Sequence, residues 1–346
     1  MFKMTGIFKL FKNHKKEKFL SCRFIQNGIT FMDKSIIMCC SNKGGVRFIT
    51  NYKGEKINWK EINKKRQEII GNCRKGIIPE ACHGCVNLET QEWDLSDYKL
   101  KEIYINHWNH CNCGCVYCIQ GADGKYLQAE SSPSPYYRVY EHLQSLYKHK
   151  LISPKLHLEI LGGEISVLDE ADDIINLCLN NGVERMSFHS SCITYSKGIE
   201  RALKEAPDVD IDFSLDCASK DLYKKIKRID AFDDVIDNLS KYIKSSPKAP
   251  DAFIAKYIII DGLNDNTGEL DKWLALIHNL GIKKAKLDVN FRKYFSELNS
   301  SKPDVPPVYY EMYKLFYKRI KEYGMEDHCW EFPKRVLNAG GIPEGY

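Results

Sequence analysis

Three cysteines about a third of the way along the chain carry the strongest chemical signal in the sequence. Cys111, Cys115 and Cys118 follow a C-x3-C-x2-C spacing, and an aromatic residue, Tyr117, directly precedes the last of them. Three thiolates on one tight loop can bind three irons of a [4Fe–4S] cluster and leave the fourth iron without a protein ligand. The spacing therefore predicts an iron–sulfur site with one open iron.

A zinc ion is the alternative for the same loop, because Cys113 brings the number of thiols within eight residues to four. Zinc takes four thiolates in a tetrahedron, but the cysteines of zinc knuckles usually come as two separated C-x2-C pairs. The spacing of this loop favours the cluster.

The cysteine loop follows a short apolar strand, and the elements after it alternate regularly. Predicted strands lie at 102–107, 156–161, 186–188, 209–213, 252–260 and 286–289. Predicted helices lie at 135–148, at 167–179, before Pro207, across 219–244, at 270–280 and at 309–323. Six strands that are each followed by a helix predict a parallel sheet curled into a barrel or part of one, so the fold class is α/β.

Reactive groups in such barrels gather on the loops that leave the carboxyl ends of the strands. The second strand is followed by Gly162, Gly163 and Glu164, where two glycines let a ligand approach the backbone and the carboxylate can accept a hydrogen bond from an ammonium group. The third strand leads to Ser190, whose hydroxyl suits a sugar or a carboxylate. These positions extend the candidate site beyond the cysteines.

The fourth strand ends in Ser214 and Asp216. Strand alternation predicts that these two side chains point the same way, and their oxygens suit a ribose diol. The alternative is a serine followed by an aspartate that caps the next helix.

The order of these features resembles that of the radical S-adenosylmethionine (radical SAM) enzymes with a partial (β/α)6 TIM-like barrel, over about residues 99–295. In that family the open iron binds the amino and carboxylate groups of S-adenosylmethionine. An electron from the cluster cleaves the sulfonium bond and yields a 5′-deoxyadenosyl radical, which abstracts hydrogen from a substrate. The resemblance implies a cluster on Cys111, Cys115 and Cys118, with Cys113 outside the ligand set. The other implied contacts are Gly162, Gly163 and Glu164 for the methionine amino group, Ser190, Ser214 and Asp216 for the ribose or carboxylate, and Tyr117 for the adenine.

A second group of cysteines precedes the barrel, within a small cysteine-rich module. A predicted hairpin, 29–38, ends at Cys39, a helix is predicted from Trp59 to Gly71, and Cys82 and Cys85 form a C-x2-C knuckle typical of metal sites. The segment resembles the auxiliary-cluster modules called SPASM and twitch domains, although those usually follow the barrel. The resemblance implies a second iron–sulfur cluster on Cys22, Cys39, Cys82 and Cys85, with Cys40 or Cys73 as substitutes. Zinc is the alternative.

Two features bear on the type of reaction that the resemblance implies. A fully ligated second cluster could accept an electron from a substrate radical, which favours oxidation of an alcohol or amine. The thiol of Cys217 could instead return a hydrogen atom and give epimerisation, or it could be a small buried residue.

Composition and length narrow the remaining expectations. The chain has 346 residues, a net charge of +5 and no dense stripe of Lys and Arg, so a nucleic-acid partner is not expected. Fourteen cysteines without a secretory signal or a membrane-length apolar run predict a cytoplasmic protein. The predicted domains are a basic tail or helix at 1–18, a cysteine-rich module at 19–98, the barrel at 99–300, and a helix and tail at 301–346.

The sequence thus predicts a radical SAM enzyme that abstracts hydrogen from a small or sugar-like substrate, such as a nucleotide-linked or amino sugar, with electrons from a flavodoxin or ferredoxin. The pattern resembles radical SAM proteins associated with modification of bacterial cell-surface polysaccharides or peptides. One alternative is a maturase that modifies a peptide or protein. Another is a non-catalytic iron–sulfur or zinc-binding protein.

Overall fold

A computed structural model describes most of the chain. The described residues are 16–32, 35–40, 46–50, 52, 54, 56–85, 87–106, 110–118, 138–294, 304–329 and 336–337. Most of the predicted basic tail and the turn of the predicted hairpin, at residues 33 and 34, lie outside this set. The chain divides into two compact units. The first comprises Met1–Trp108, Pro133–Ile160 and Asn180–Arg185, and the second comprises Asn109–Ser132, Leu161–Leu179 and Met186–Tyr346.

The first unit is built largely from short strands. Its elements, in chain order, are β1 (Lys16–Ser21), α1 (Arg23–Asn27), β2 (Gly28–Met32), β3 (Ser35–Met38), β4 (Val46–Ile49), α2 (Trp59–Arg74), β5 (Glu89–Asp94), β6 (Leu100–Asn106), α3 (Val139–Lys148) and β7 (Ile152–Ile160). Strands β1 and β5 pair antiparallel, whereas the other five lie side by side in the order β7-β6-β2-β3-β4.

The strand pairing in the first unit bears on two of the predicted domain boundaries. Strand β2 pairs in parallel with β6, with Ile29 opposite Ile103, so the cysteine-rich segment shares a sheet with the first predicted barrel strand, and the domain boundary between residues 98 and 99 stays a prediction. Long-range pairing of this kind leaves no trace in local periodicity. Strand β1 begins at Lys16, inside the segment predicted as a basic tail or helix, because its backbone pairs with β5, where Lys16 lies opposite Asp94 and Ser21 opposite Glu89.

Helix α2 shows how the local sequence sets an element in this unit. Asn58 precedes the helix and accepts a hydrogen bond from the Glu61 backbone N–H, which satisfies one of the free donors of the first turn. The helix buries a stripe that includes Ile62, Arg66 and Ile70. The Arg66 guanidinium donates to the carbonyls of Phe24, Gln26 and Gly28, at 3.3, 3.3 and 2.8 Å, and so holds α2 against α1 and the start of β2.

The second unit alternates strands and helices. Its elements are α4 (Ala171–Asn180), β8 (Arg185–Ser190), α5 (Lys197–Glu205), β9 (Asp208–Ser214), α6 (Lys220–Lys227), α7 (Phe232–Ser245), α8 (Ala249–Ala252), β10 (Phe253–Ile259), α9 (Thr267–Asn279), β11 (Lys284–Val289), α10 (Phe291–Tyr294), α11 (Pro307–Tyr323) and β12 (Glu326–Asp327). The boundaries of the predicted strands and helices agree with these to within a few residues.

The strands of the second unit lie in the order β12-β11-β10-β9-β8, and the pairs β9–β10, β10–β11 and β11–β12 are parallel. Strand β10 is buried along almost its whole length, as expected for a parallel strand covered on both faces. Helix α11 packs Tyr309, Met312 and Phe316 inward and ends at Gly324, whose φ of 62° suits a glycine cap. The α/β fold with a partial TIM-like barrel is confirmed. No helix among the described residues is long and apolar enough to cross a membrane.

Candidate functional site

The loop that carries the three predicted cluster ligands is compact. Cys111, Cys115 and Cys118 are half-buried, whereas Cys113 is buried with 8% of its surface exposed. The Cys118 backbone N–H donates to the Cys115 carbonyl at 3.1 Å and closes the last turn of the loop. The residues between the cysteines make the contacts that hold the loop in place.

One side of the loop is tied to the segments after the second and third predicted barrel strands. The Glu164 backbone N–H donates to the His110 carbonyl at 2.8 Å. The Ser191 hydroxyl donates to Asn112 Oδ1 at 3.2 Å, and Asn112 Nδ2 donates to the Thr194 hydroxyl at 3.3 Å. These contacts bring the cysteine loop, the Gly-Gly-Glu segment and the end of β8 together, as the sequence predicts.

The other side of the loop pairs with the last turn of α6. The Gly114 N–H donates to the Lys227 carbonyl at 2.9 Å, and the Val116 N–H donates to the Ile226 carbonyl at 3.0 Å. Cys115 lies between these two hydrogen bonds. Helix α6 ends immediately afterwards at Arg228, which adopts a left-handed conformation with φ 57°.

Three side chains next to this pairing form a buried polar triad. The Tyr117 hydroxyl donates to Asp216 Oδ2 at 2.6 Å, and Lys227 Nζ donates to the same oxygen at 2.5 Å and to the Tyr117 hydroxyl at 2.6 Å. Asp216 has no exposed surface and Lys227 only 2%. A buried charge is costly unless paired, so each ion of this pair depends on the other.

The position of Asp216 differs from the sequence prediction. Strand β9 ends at Ser214, and Asp216 has φ 63°, so strand alternation does not extend to it. Its other carboxylate oxygen accepts from the Ile258 N–H at 2.8 Å, and its carbonyl accepts from Asn264 Nδ2 at 2.8 Å. These hydrogen bonds hold Asp216 in a left-handed backbone conformation that an aspartate rarely adopts. Because both carboxylate oxygens are engaged, the geometry gives Asp216 a positioning role, and its predicted ribose contact stays a prediction.

The second polar centre is built on Glu164, of which only 1% is exposed. Its Oε1 accepts from the Ser166 hydroxyl and the Ser190 hydroxyl, both at 2.8 Å, and its Oε2 accepts from the Ser191 backbone N–H at 2.5 Å. Gly162 just before it has φ 123°, a conformation that favours glycine. The structure therefore places Glu164 and Ser190 together, bonded to each other.

Ser214 and Cys217 have contrasting surroundings. Ser214 is half-buried at the end of β9 opposite Lys256, and within the described part of the chain its side chain has no hydrogen-bond partner. Cys217 is fully buried, and its thiol donates to the carbonyls of Leu215 and Ser219 in its own loop, at 3.6 and 3.5 Å. Burial raises the pKa of the Cys217 thiol to about 12. The geometry is that of a small buried residue.

The cysteine loop contains one thiol that favours the charged form. A hydrogen bond from Cys113 and the charge of Lys227 lower the pKa of Cys115 to about 6, although burial opposes them. Hydrogen bonds between the Cys113 thiol and the thiols of Cys111 and Cys115, together with burial, raise the pKa of Cys113. The thiolate is the form that binds iron. Three accessible thiols on one turn, one of them favoured as a thiolate, fit a cluster that keeps one iron free of protein ligands.

No three His, Cys, Asp or Glu side chains among the described residues converge to hold a single metal ion. The thiolates of an iron–sulfur cluster bind separate iron atoms, so they need not converge on one point. The ligand sets of both cysteine groups stay predictions.

The second cysteine group is gathered in the first unit. Each thiol of the predicted second ligand set affects the pKa of at least one other, which places Cys22, Cys39, Cys82 and Cys85 close together. The thiols of Cys40 and Cys73 are close to the same group. Cys22 caps α1, where its sulfur accepts from the Ile25 N–H at 3.4 Å. The apolar cluster beside these thiols consists of Phe19, Ile25, Met38, Ile70, Cys73, Cys82 and Trp93. The structure thus brings together cysteines that lie up to 63 residues apart in the sequence.

The thiols of the second group favour the neutral form. Burial raises the pKa of Cys22 and Cys73, and together with the neighbouring thiols it raises the pKa of Cys82 to about 11. The pKa of Cys40 is raised mainly by a hydrogen bond with Cys39. Cys85 is exposed and Cys73 has only 1% of its surface exposed, which makes Cys73 the least accessible of the six.

Sequence reasoning missed Lys227, Asn112 and Asn264, which hold the site together. In the sequence Lys227 is one of several lysines of a predicted exposed helix, and only its position at the end of α6 distinguishes it from the others. Asn264 is fully buried and accepts from the Ile260 N–H at 2.6 Å while donating to two carbonyls. Its position after the fifth predicted barrel strand was the only available signal.

Comparison with known proteins agrees with this architecture. Residues 105–275 match the family model described as the Radical SAM superfamily. The chain therefore contains a radical SAM domain over these residues, and a [4Fe–4S] cluster and S-adenosylmethionine are the cofactors of that domain. None of the curated proteins compared with this sequence matches it.

Several solved structures are similar at low sequence identity. Streptococcus suis SuiB bound to precursor peptide SuiA matches with TM-score 0.50 and 12% identity, over 82% of this chain and 57% of that one. A radical SAM methyltransferase from Sphaerobacter thermophilus matches with TM-score 0.43 and 15% identity, over 64% of this chain and 63% of that one. The hydrogenase maturase HydG from Carboxydothermus hydrogenoformans matches with TM-score 0.43 and 14% identity, over 71% and 58%. The chain thus spans less than two thirds of the length of each.

Proposed function

We propose that this radical SAM enzyme abstracts hydrogen from a small polar, sugar-like substrate, and that Cys111, Cys115 and Cys118 hold its catalytic cluster. The observation that carries the proposal is that polar residues bind the cysteine loop on both of its sides. The backbone of Glu164 bonds the loop on one side, and Asp216 and Lys227 bond it on the other.

When bound, the cluster and S-adenosylmethionine supply a 5′-deoxyadenosyl radical for hydrogen abstraction. The protein residues position these groups. Cys115, held between two backbone hydrogen bonds, presents a thiolate at neutral pH. The Ser214 hydroxyl, which has no hydrogen-bond partner among the described residues, is available for the ribose, and the backbone at Gly162 allows close approach of the methionine end.

A charged surface beside Ser214 supports a polar substrate. Ser214, Lys256 and Lys286 are register neighbours on one face of the sheet, and Asp212 shares that face by strand alternation. Lys256 and Lys286 both pair with the Asp212 carboxylate, the former at 3.4 Å, and their charges lower the pKa of Asp212. Such a surface suits hydroxyl, phosphate or carboxylate groups better than an apolar substrate.

The second cysteine group, in our proposal, binds an auxiliary iron–sulfur cluster through Cys22, Cys39, Cys82 and Cys85. Their mutual proximity and the near-complete burial of Cys73 support this set. We favour oxidation over epimerisation, because the Cys217 thiol donates to carbonyls of its own loop.

The test of the catalytic assignment is anaerobic reconstitution with iron and sulfide, followed by reduction with dithionite in the presence of S-adenosylmethionine. We expect 5′-deoxyadenosine from the wild type and from Cys178→Ala, a buried cysteine on α4 outside both groups. Cys115→Ala should form none. Equal amounts from Cys115→Ala and the wild type would overturn the assignment and favour a non-catalytic metal protein.

Iron counting tests the second cluster separately. After Cys111, Cys115 and Cys118 are all replaced by Ala, about four irons per chain should remain. Bound zinc without iron would instead identify a zinc site.

A peptide substrate is the second candidate, because the similar SuiB structure has a precursor peptide bound. Nucleotide sugars and a panel of short peptides, each deuterated at carbon, separate the two candidates. Deuterium should appear in 5′-deoxyadenosine only with the true substrate class.

A further inference from the structure

Asp212 has one carboxylate oxygen that accepts no hydrogen bond from the described part of the chain. Its Oδ2 accepts from Lys286 Nζ, whereas its Oδ1 is buried and has no hydrogen-bond partner among the described residues. Only 9% of Asp212 is exposed. A buried carboxylate oxygen is costly to desolvate unless a donor compensates it. Asp212 Oδ1 therefore has capacity for a donor that the described residues do not supply.

Lys256 lies next to this oxygen without forming a hydrogen bond to it. Its Nζ is 3.4 Å from Asp212 Oδ1, in an ion-pair contact whose geometry is not that of a hydrogen bond. The Lys256 side chain is 19% exposed, and its ammonium group donates to none of the described residues. A free acceptor and a free donor thus lie side by side. Both are close to Ser214, which lies opposite Lys256 in the sheet.

The next ion pair on the same face of the sheet is arranged differently. Lys284 pairs with Asp210 at 3.5 Å, one lysine with one aspartate, and their side chains are 18% and 14% exposed. Asp212 is instead shared by two lysines, and Lys286 already supplies a hydrogen-bonded counter-charge. Lys256 is therefore not needed to neutralise Asp212, and an additional role accounts for its position.

The balance of charge around this pair determines which group it suits. Asp288 shares the face by strand alternation, and burial raises its pKa to about 6, so it is largely ionised at pH 7. Two lysines therefore face two carboxylates. His189, which also acts on Asp212, adds a charge only when it is protonated.

An anionic group at this position would be repelled by Asp212 Oδ1, and an ammonium group would be repelled by Lys256 Nζ. A hydroxyl suits both partners, because it donates one hydrogen bond and accepts others at the same oxygen. The geometry therefore favours an uncharged hydroxyl over a phosphate, a carboxylate or an amine.

We propose that Asp212 Oδ1 and Lys256 Nζ together bind one hydroxyl group of a sugar substrate, which donates to the carboxylate and accepts from the ammonium group. A substrate that lacks this hydroxyl leaves both buried partners unsatisfied, so the pair selects a sugar over its deoxy analogue. This inference rests on the sugar-like substrate of the proposed function.

The experiment measures how UDP-glucose, UDP-N-acetylglucosamine and their deoxy analogues, each lacking one hydroxyl, bind the reconstituted holoprotein in isothermal titration calorimetry. With the wild type we expect one analogue to bind about tenfold more weakly than its parent sugar, because hydrogen bonds to charged groups are lost. Lys256→Met should bind the parent and that analogue equally. Lys256→Arg keeps a charged donor and should recover part of the difference.

Lys284→Met is the matched control, because Lys284 lies on the same face and its side chain is as exposed as that of Lys256. It should keep the tenfold difference. UDP alone should bind the wild type and Lys256→Met equally, which separates the sugar from the phosphates. If Lys256→Met does not fold, a crystal structure of the wild type with the UDP sugar replaces it. The selected hydroxyl should then lie within about 3.2 Å of both Asp212 Oδ1 and Lys256 Nζ.

The inference alone is overturned if a UDP sugar binds and Lys256→Met keeps the wild-type difference, or if the bound hydroxyl contacts neither atom. Weaker binding of UDP itself to Lys256→Met would identify a phosphate site and would also overturn it. Failure of both UDP sugars to bind the wild type would refute the sugar-like substrate of the proposed function, and the inference with it.

Discussion

The two cysteine groups of this protein are held in different ways. The loop around Cys115 is fixed by hydrogen bonds from strand ends and by a buried ion pair, and its central thiol favours the charged form. The group around Cys22 and Cys82 rests on apolar side chains such as Ile25 and Trp93, and the resolved shifts of its thiol pKa values are upward.

Because of this difference, we expect the two groups to differ in how much protonation and local structure change when metal binds. A polar, preorganised loop can present a thiolate before the cluster arrives, and it needs little rearrangement. An apolar group of neutral thiols must lose protons as metal binds, so its metal site and its local structure are coupled. This contrast fits our proposal that the first group holds a cluster with an open iron and that the second holds an auxiliary cluster.

The largest expected effect comes from removing Cys22, which lies close to most of the other cysteines in the second group. Cys22→Ala should lose all metal bound by this group, because Cys22 is an electrostatic neighbour of Cys40, Cys73 and Cys82. Iron in the cysteine loop and the formation of 5′-deoxyadenosine without substrate should persist. Metal analysis by mass spectrometry decides the matter, with Cys178→Ala as the control. Loss of both metal sites in Cys22→Ala would mean that the two groups do not bind metal independently.

A smaller effect should follow from weakening the polar support of the cysteine loop. Asn264→Ala removes three buried hydrogen bonds, two of them to carbonyls and one from the Ile260 N–H, so we expect the free energy of unfolding to fall by about 3 kcal/mol. Chemical denaturation of the metal-free protein measures it.

Asn266→Ala is the matched control for that variant. Asn266 caps α9 from an exposed position by accepting from the Glu269 N–H at 2.9 Å, so its loss should cost only about 1 kcal/mol. Equal losses in the two variants would show that Asn264 contributes nothing beyond a surface cap.

The smallest effect concerns pH. The pKa of Cys115 is about 6, so this thiol is already deprotonated at pH 7 and above, whereas Cys82, with a pKa of about 11, is protonated until far higher pH. Metal binding at Cys82 must therefore release a proton, and its affinity should gain about tenfold per pH unit from this thiol alone. Cys115 should add no such gain between pH 7 and 8.

Cadmium titrations at pH 7 and pH 8, followed by the absorption of the cadmium–thiolate bond, measure how steeply the metal affinity of each group rises with pH. Cys22→Ala isolates the cysteine loop, and Cys115→Ala disables it. A slope for the loop as steep as that for the second group would contradict the contrast between the two environments.

Much of the fold could be predicted from the sequence because it is written in local patterns. The predicted strands and helices from residue 100 onward follow from apolar periodicity, and their boundaries agree with the structure to within a few residues. The short elements α8, α10 and β12 were not predicted. The same patterns place Glu164, Ser190 and Ser214 at strand ends, where parallel strands bring them to one edge. Strand β1 was missed because it is short and charged and is held by its pairing with β5.

The sequence by itself determined the spacing of Cys111, Cys115 and Cys118, the order of the barrel elements and the type of cofactor. Only the tertiary structure decided that Asp216 is buried and engaged, and that Lys227, 110 residues from Tyr117, reaches the cysteine loop. Local periodicity specifies which face of an element is apolar. It does not specify which distant charge is buried against it, because that depends on how helix α6 ends and what packs beside it.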